Sequence, residues 1–256
     1  MLQYQSLKGG IIMNFTNREH FNIFLKNLKP LGIGSQGMCF LDEKHKIVYK
    51  VFHEYFDYEK SNYKEEEILR FSHIDNKTFI WPKDVLIVKN EIVGYTMPYV
   101  KSKNLYERNP LLINLDSLET AIQESTKDIK LLTDNKVAMY DVMYNILYRN
   151  GKITIIDTME YGTSEEISLD KNMLPFNYEL KLFLVDNYFN NFITSSRLLN
   201  EMYTSNANCL EFLKQFRTSL SNYLEEPITT LNQAKMLIRK NPKPKYIRSI
   251  NNKDNY

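Results

Sequence analysis

Three of the chain's eight glycines, Gly32, Gly34 and Gly37, fall within six residues in "GIGSQG". A turn without side chains lets backbone N–H groups approach a phosphate. Two arrangements use such a turn. In one it opens a helix whose N-terminus faces a dinucleotide pyrophosphate. In the other it is the tip of a hairpin folded over the phosphates of a nucleoside triphosphate. Here "MCFL", the polar turn "DEKHK" and "KIVYKVF" follow, which is strand–turn–strand, so the dinucleotide arrangement fails on context. The hairpin arrangement demands a lysine on the next strand, and "VYKVF" supplies Lys50, with Val48 and Phe52 on its face. It also demands a glutamate from a following helix to orient that lysine. Matching Glu-x-x-Ile-Leu within "EEEILRFSHI" selects Glu65. Further on, "MYDVMYNILYRNGKITIIDTMEYG" brings an Asp, an Asn and a second Asp in order. Asp141 is placed to orient an acceptor hydroxyl and take its proton, and Asn145 and Asp157 to hold Mg²⁺. The chemistry of that set is phosphoryl transfer.

Elements must position these groups. Phe21, Phe24, Leu25 and Leu28 in Asn17 to Leu28 are spaced as a short leading helix. "YEKSNYKEEEILRFSHI", Tyr58 to Ile74, reads as a charged helix. "DVLIVKNEIVGYTMPYV" reads as two strands around Lys89-Asn90. "KSKNLYERNP" reads as a boundary between lobes. In "LDSLETAIQESTKDIKLL", Leu118, Ile122, Ser125, Ile129 and Leu132 form one helical stripe, with Asp116 expected as its cap. Asn150-Gly151 is a two-residue hairpin turn, because both positions tolerate positive φ. Amphipathic helices are expected from Asn177 onward, the last opening at "TLNQ" with Thr230 and Gln233 as a capping box.

On these motifs, from about Leu31 to Asp157, the chain resembles the protein kinase-like superfamily. The resemblance implies an α+β, bilobal fold with a small antiparallel β N-lobe and a mostly helical C-lobe. It implies ATP and Mg²⁺ as cofactors and Lys50, Glu65 and Asp141 as catalytic residues. Gly32, Gly34 and Gly37 would cover the phosphates. Met97 would stand at the back of the adenine pocket, and Pro98 to Val100, Tyr99 among them, would offer backbone hydrogen bonds. Val48 and Cys39 would cover the base from above, and Ile146 or Leu147 from below. Four features depart from the family pattern. Met139-Tyr140 precedes Asp141 where His-Arg or His-Gly is usual. Asn145 follows Asp141 by four residues rather than five. Asp157-Thr158-Met159 replaces Asp-Phe-Gly, with Glu160 next to it, and no Ala-Pro-Glu follows. The implied acceptor is a protein Ser/Thr hydroxyl. The alternatives are a small-molecule phosphotransferase of the aminoglycoside or choline type, and a pseudokinase acting as a nucleotide-binding regulatory module.

Composition sets the class. The chain has 256 residues, 43% hydrophobic and 25% charged, with a formal charge of +2 and two cysteines. That is ordinary for a globular protein and signals neither a specific nucleic-acid partner nor a membrane surface. Two cysteines are too few for a disulfide scaffold, so a reducing, cytoplasmic setting is expected. The expected organisation is 1–13 a leader, 14–100 the N-lobe, 101–240 the C-lobe and 241–256 a basic, disordered tail. "KGGIIM" can be encoded as a bacterial ribosome-binding site ahead of Met13, so translation from Met13 in an AT-rich bacterium is expected, with residues 1–13 non-native or flexible.

Overall fold

The computed structural model describes residues 3–7, 10–185 and 188–240; the basic tail lies outside the described residues. The chain divides into two compact units. One runs up to Lys101 and takes back Ile156–Glu160; the other comprises Ser102–Ile155 and the chain from Tyr161 on.

The first unit is built on a sheet of seven strands among the described residues: β1 (Gln3–Leu7), β2 (Gly10–Phe15), β3 (Lys29–Ile33), β4 (Gly37–Asp42), β5 (Ile47–Phe52), β6 (Asp84–Val88) and β7 (Glu91–Pro98), in the order β1-β2-β6-β7-β5-β4-β3. Every pairing is antiparallel except β2 with β6. Met13 to Phe15 there pair with Leu86 to Val88, so the described part of the segment read as a leader lies in strands. The edge of β6 offers free backbone groups, and a neighbouring extended segment satisfies them.

Alternation along β5 sorts its side chains to two faces. Tyr49 and Val51 join Phe15, Phe21 and Leu25 in one cluster, covered by α1 (Arg18–Lys26). Val48 and Phe52 join Leu41, Ile68, Val85, Tyr95, Met97 and Met159 on the other. Lys50 lies between Val48 and Phe52 on that second face. Helix α1 starts where expected, because the Asn17 side chain accepts the His20 N–H at 2.9 Å. A four-residue α2 (His53–Phe56) follows β5 directly.

The helix expected over Tyr58 to Ile74 is a correction. Only α3 (Glu65–Ile68) is helical there. Leu69 to Ile74 continue as tight turns, Ser72 N–H donating to Leu69 O and Ile74 N–H to Phe71 O, each at 3.0 Å. Ile68, Phe71 and Ile74 are all buried, and their three-residue spacing suits successive turns as well as a helix.

The second unit carries short strands and most of the helices: β8 (Lys103–Asn104), α4 (Leu115–Asp134), β9 (Val137–Ala138), β10 (Ile146–Arg149), β11 (Lys152–Ile155), β12 (Gly162–Thr163), α5 (Leu169–Val185), α6 (Asn190–Thr194), α7 (Arg197–Thr204), α8 (Cys209–Leu224) and α9 (Leu231–Lys240). Asn150 and Gly151 both take positive φ in the β10–β11 turn, as their types demand. The stripe of α4 is buried throughout, but its cap is Asn114, whose side chain accepts the Ser117 N–H at 2.8 Å. Asp116 falls in the first helical turn and pairs with Arg217. At α9, Gln233 Oε1 accepts the Thr230 N–H at 2.9 Å, as a capping box requires.

Helix α5 begins eight residues before the expected Asn177 and carries Pro175 inside it. An internal proline costs ~3 kcal/mol. Met173, Phe176 and Leu180 are each at most 4% exposed, and burial at ~1.5–3 kcal/mol per side chain more than offsets it. Burial on most sides makes α5 the central helix of this unit. No described helix is long and apolar enough to cross a membrane.

Candidate active site

The first unit gathers one polar group beneath the glycine turn. β3 and β4 form a hairpin whose tip is Gly34 to Gln36, closed by Gly34 N–H donating to Gly37 O at 2.9 Å. His53, just past β5, anchors that tip. Its backbone N–H donates to Gln36 O at 3.0 Å, and its Nε2 lies 2.9 Å from Gly34 O. The three glycines are not equivalent. A Cβ on Gly37 would sit 2.1 Å from the Val51 carbonyl oxygen, whereas one on Gly32 meets nothing within 4 Å and one on Gly34 touches only Gly37 O at 3.9 Å. Gly37 is therefore required by strand packing, and Gly32 and Gly34 leave space open around the hairpin. Gly37→Ala is expected to destabilise the protein by ~1–3 kcal/mol through overpacking, and Gly32→Ala by no more than ~0.5 kcal/mol. Urea unfolding of the two variants beside the wild type checks this.

Lys50 is 4% exposed, and its ammonium donates to Asp157 Oδ1 and, at 2.6 Å, to Gln36 Oε1. Gln36 in turn donates through Nε2 to Glu160 Oε1. Tyr95 OH reaches Asp157 Oδ1 at 3.4 Å. Burial, and then the Asp157 charge, hold the Tyr95 phenol well above its usual range, so it serves as a neutral donor. Thr158 Oγ1 donates to Ile80 O at 2.8 Å and fastens the segment after Asp157. Asp157 itself sits at φ 60°, a left-handed conformation that Asp tolerates better than most residues.

Glu65 is not a partner of Lys50. It is exposed at the start of α3, and Lys50 is satisfied by Gln36 and Asp157. The shortened helix explains this, since Glu65 stands at its first residue. Four other expected residues do meet: Val48 and Met97 are core members of the apolar cluster on the Lys50 face, and Cys39 and Tyr99 pack against it. Burial raises the Cys39 thiol, which stays protonated. The Tyr99 N–H is already given to Lys46 O at 2.8 Å.

In the second unit, Asp141 is exposed and takes φ 48°. Asn145 Nδ2 donates to Asp141 O at 2.7 Å, so the four-residue spacing closes the loop on itself. Ile146 and Leu147 are buried on β10. The segment ahead of Asp141 is pinned by a residue that sequence reasoning missed. Asn172 of α5, 1% exposed, accepts the Met139 N–H at 2.9 Å and donates to Val137 O at 2.8 Å. Gln36, Tyr95 and Asn172 carry no local signal, since each is a common polar residue until folding gives it a partner. Among the described residues, no group of three or more His, Cys, Asp or Glu could hold a metal ion. Cys209 is buried and its thiol pushed up to about 12, which leaves it inert as a nucleophile.

No protein-family model matches the chain, and no curated protein matches it. Solved structures do. The autoinhibited serine kinase domain of the giant muscle protein titin is similar, with a TM-score of 0.50 and 12% identity over 84% of this chain and 79% of that one. A structure of titin kinase with its flanking domains gives a TM-score of 0.52 and 10% identity over 93% of this chain, which spans half of that longer one. The chain has a protein kinase-like fold, a mixed α+β structure with a β-sheet N-terminal part and a helical C-terminal part.

Proposed function

We propose that the protein binds ATP with Mg²⁺ and transfers the γ-phosphoryl group to a hydroxyl, with a protein Ser or Thr as the first candidate acceptor. The observation that carries the reading is Lys50. A buried ammonium is costly unless it is paired, and this one is held against a carboxylate under a glycine hairpin with open space at Gly32 and Gly34. The residues fit the cofactor. Lys50 offers a fixed cation to phosphate oxygens, and Asp157 beside it offers a hard oxygen donor of the kind Mg²⁺ prefers. Mg²⁺, when bound, screens the phosphate oxygens against negative charge moving onto them. Val48, Met97 and Cys39 offer an apolar wall for the base. Gln36 takes the place on Lys50 that a phosphate oxygen needs, so its amide must swing away for nucleotide to enter. Asp141 orients the acceptor hydroxyl and takes its proton.

Thermal unfolding with and without ATP and MgCl₂ tests the binding step. Nucleotide at ~100 times its dissociation constant stabilises by ~2.7 kcal/mol. A rise in Tm that needs Mg²⁺ is expected; no shift at millimolar ATP overturns the reading. A second reading is a nucleotide-binding module without transfer, favoured by the absence of Glu65 from Lys50. Radiolabelled ATP with a panel of protein and small-molecule acceptors separates the two.

A further inference from the structure

The second unit carries a group of cations that phosphoryl transfer does not use. Lys103 on β8 stands opposite Tyr148 of β10 in register. Arg149 follows Tyr148, and Arg108 lies in the loop 105–113. All three line one cavity of about 480 Å³, which also borders the β10–β11 turn at Asn150 and Gly151 and the start of α4. Glu107 is the one carboxylate among the described residues of its wall; it is exposed and pairs with none of the three cations.

Arg108 is the group that lacks a partner. It is half-buried, and its Nε is closed to solvent without a hydrogen bond. Its two terminal nitrogens have no protein partner among the described residues either, and they are the part of the guanidinium left open to a ligand. Its charge reaches Tyr148: burial raises that phenol, and the Gly151 N–H and the Arg108 charge pull it back. Partial burial of an unpaired cation is costly, so native proteins rarely carry one without a use.

The rest of the wall selects the sign of the ligand. Asn109 Oδ1 accepts the Leu111 N–H at 3.1 Å, and Asn114 Oδ1 accepts the Ser117 N–H at 2.8 Å. With both oxygens spent, these two amides offer N–H donors. An arginine fork matches two phosphate oxygens in one plane, and a lysine adds a point charge. Leu112 and Ile113 give the same wall apolar surface. The volume falls in the ~300–1,000 Å³ range of small-molecule sites.

We infer that this cavity binds a small organic phosphate, its phosphoryl group held by Arg108 and Lys103 and its body against Leu112 and Ile113. The site is independent of the nucleotide reading, because its residues all belong to the second unit, whereas Lys50 and the glycine hairpin belong to the first.

Phenyl phosphate is the probe and phenol its neutral counterpart, each titrated into the full ¹⁵N-labelled chain without nucleotide or Mg²⁺. The backbone amides of Asn150 and Gly151 report on the cavity, and those of Gly34 and Gly37 on the glycine hairpin. Phenyl phosphate is expected to shift Asn150 and Gly151 saturably and to bind about tenfold more tightly than phenol, the factor a charge-assisted hydrogen bond commands. Arg108→Met keeps the stem and removes the charge. It is expected to bring phenyl phosphate down to the level of phenol with an unchanged or raised urea midpoint, since the guanidinium has no partner to lose. Lys103→Gln, at an exposed position, is expected to weaken phenyl phosphate about threefold. No shift at Asn150 and Gly151, shifts confined to Gly34 and Gly37, equal affinity for the two probes, or unchanged phenyl phosphate binding in Arg108→Met overturns the inference. A phosphoserine peptide that shifts the same amides more tightly than phenyl phosphate overturns it as well, in favour of a protein partner. Should Arg108→Met fail to fold, the comparison of probes on the wild type and Lys103→Gln still decide it.

Discussion

Asp157→Ala is expected to abolish phosphoryl transfer and the Mg²⁺-dependent part of ATP stabilisation, and also to weaken the fold itself. The two losses have separate causes. The functional loss follows from removing the oxygen donor proposed to hold the metal. The structural loss follows from Lys50, whose side chain is 4% exposed and loses the carboxylate it is paired with. Breaking a buried pair from one side costs ~3–5 kcal/mol, and Gln36 Oε1 remains on the ammonium, so ~3 kcal/mol is expected from urea unfolding. Lys50→Met combined with Asp157→Ala removes the stranded charge and is expected to recover most of that stability while restoring no transfer. Thr158 and Tyr95 keep their own partners or packing, so the segment stays in place. A folded Asp157→Ala protein that transfers phosphate at the wild-type rate shows that the active site lies elsewhere.

Asp141→Asn is expected to slow transfer by ~10²–10⁴-fold, the usual share of a general base, while ATP and Mg²⁺ still stabilise the protein as they do the wild type. Asparagine is the sharper probe because Asp141 sits at φ 48°. Asn accepts that left-handed geometry as readily as Asp, whereas Ala adds strain of its own. Its exposed side chain makes little packing, so the Tm of Asp141→Asn is expected to match the wild type. Single-turnover transfer assays and thermal unfolding, run side by side, separate the missing base from a disturbed loop. Equal transfer rates for Asp141→Asn and wild type remove Asp141 from the chemistry.

Local signals in the sequence determined much of this protein. Asn150-Gly151 dictated its turn because only those residue types take two positive φ values cheaply. The α4 stripe dictated its buried face because a 3.6-residue period leaves no other side for Leu118, Ile122 and Ile129. The glycine run, Lys50 and the ordered Asp–Asn–Asp set sufficed to identify the kinase-like fold, since each is tied to a strand or turn that its neighbours specify.

Tertiary structure alone decided the partnerships. Lys50 meets Gln36 and Asp157, 14 and 107 residues away in sequence, and no local pattern ranks those two above Glu65. Three-residue spacing at Ile68, Phe71 and Ile74 fits helix and turns alike, so only packing against the sheet could shorten α3 and leave Glu65 outside. Asn114 displaced Asp116 as a cap because the entry of the chain into α4, not the nearest acidic residue, fixes which side chain reaches the free N–H groups. Lys103 and Arg108 looked like charges on a loop between lobes. Their meeting with Arg149 around one cavity depends on the pairing of β8 with β10, and that is set by contacts between elements that the order of residues along one loop does not contain.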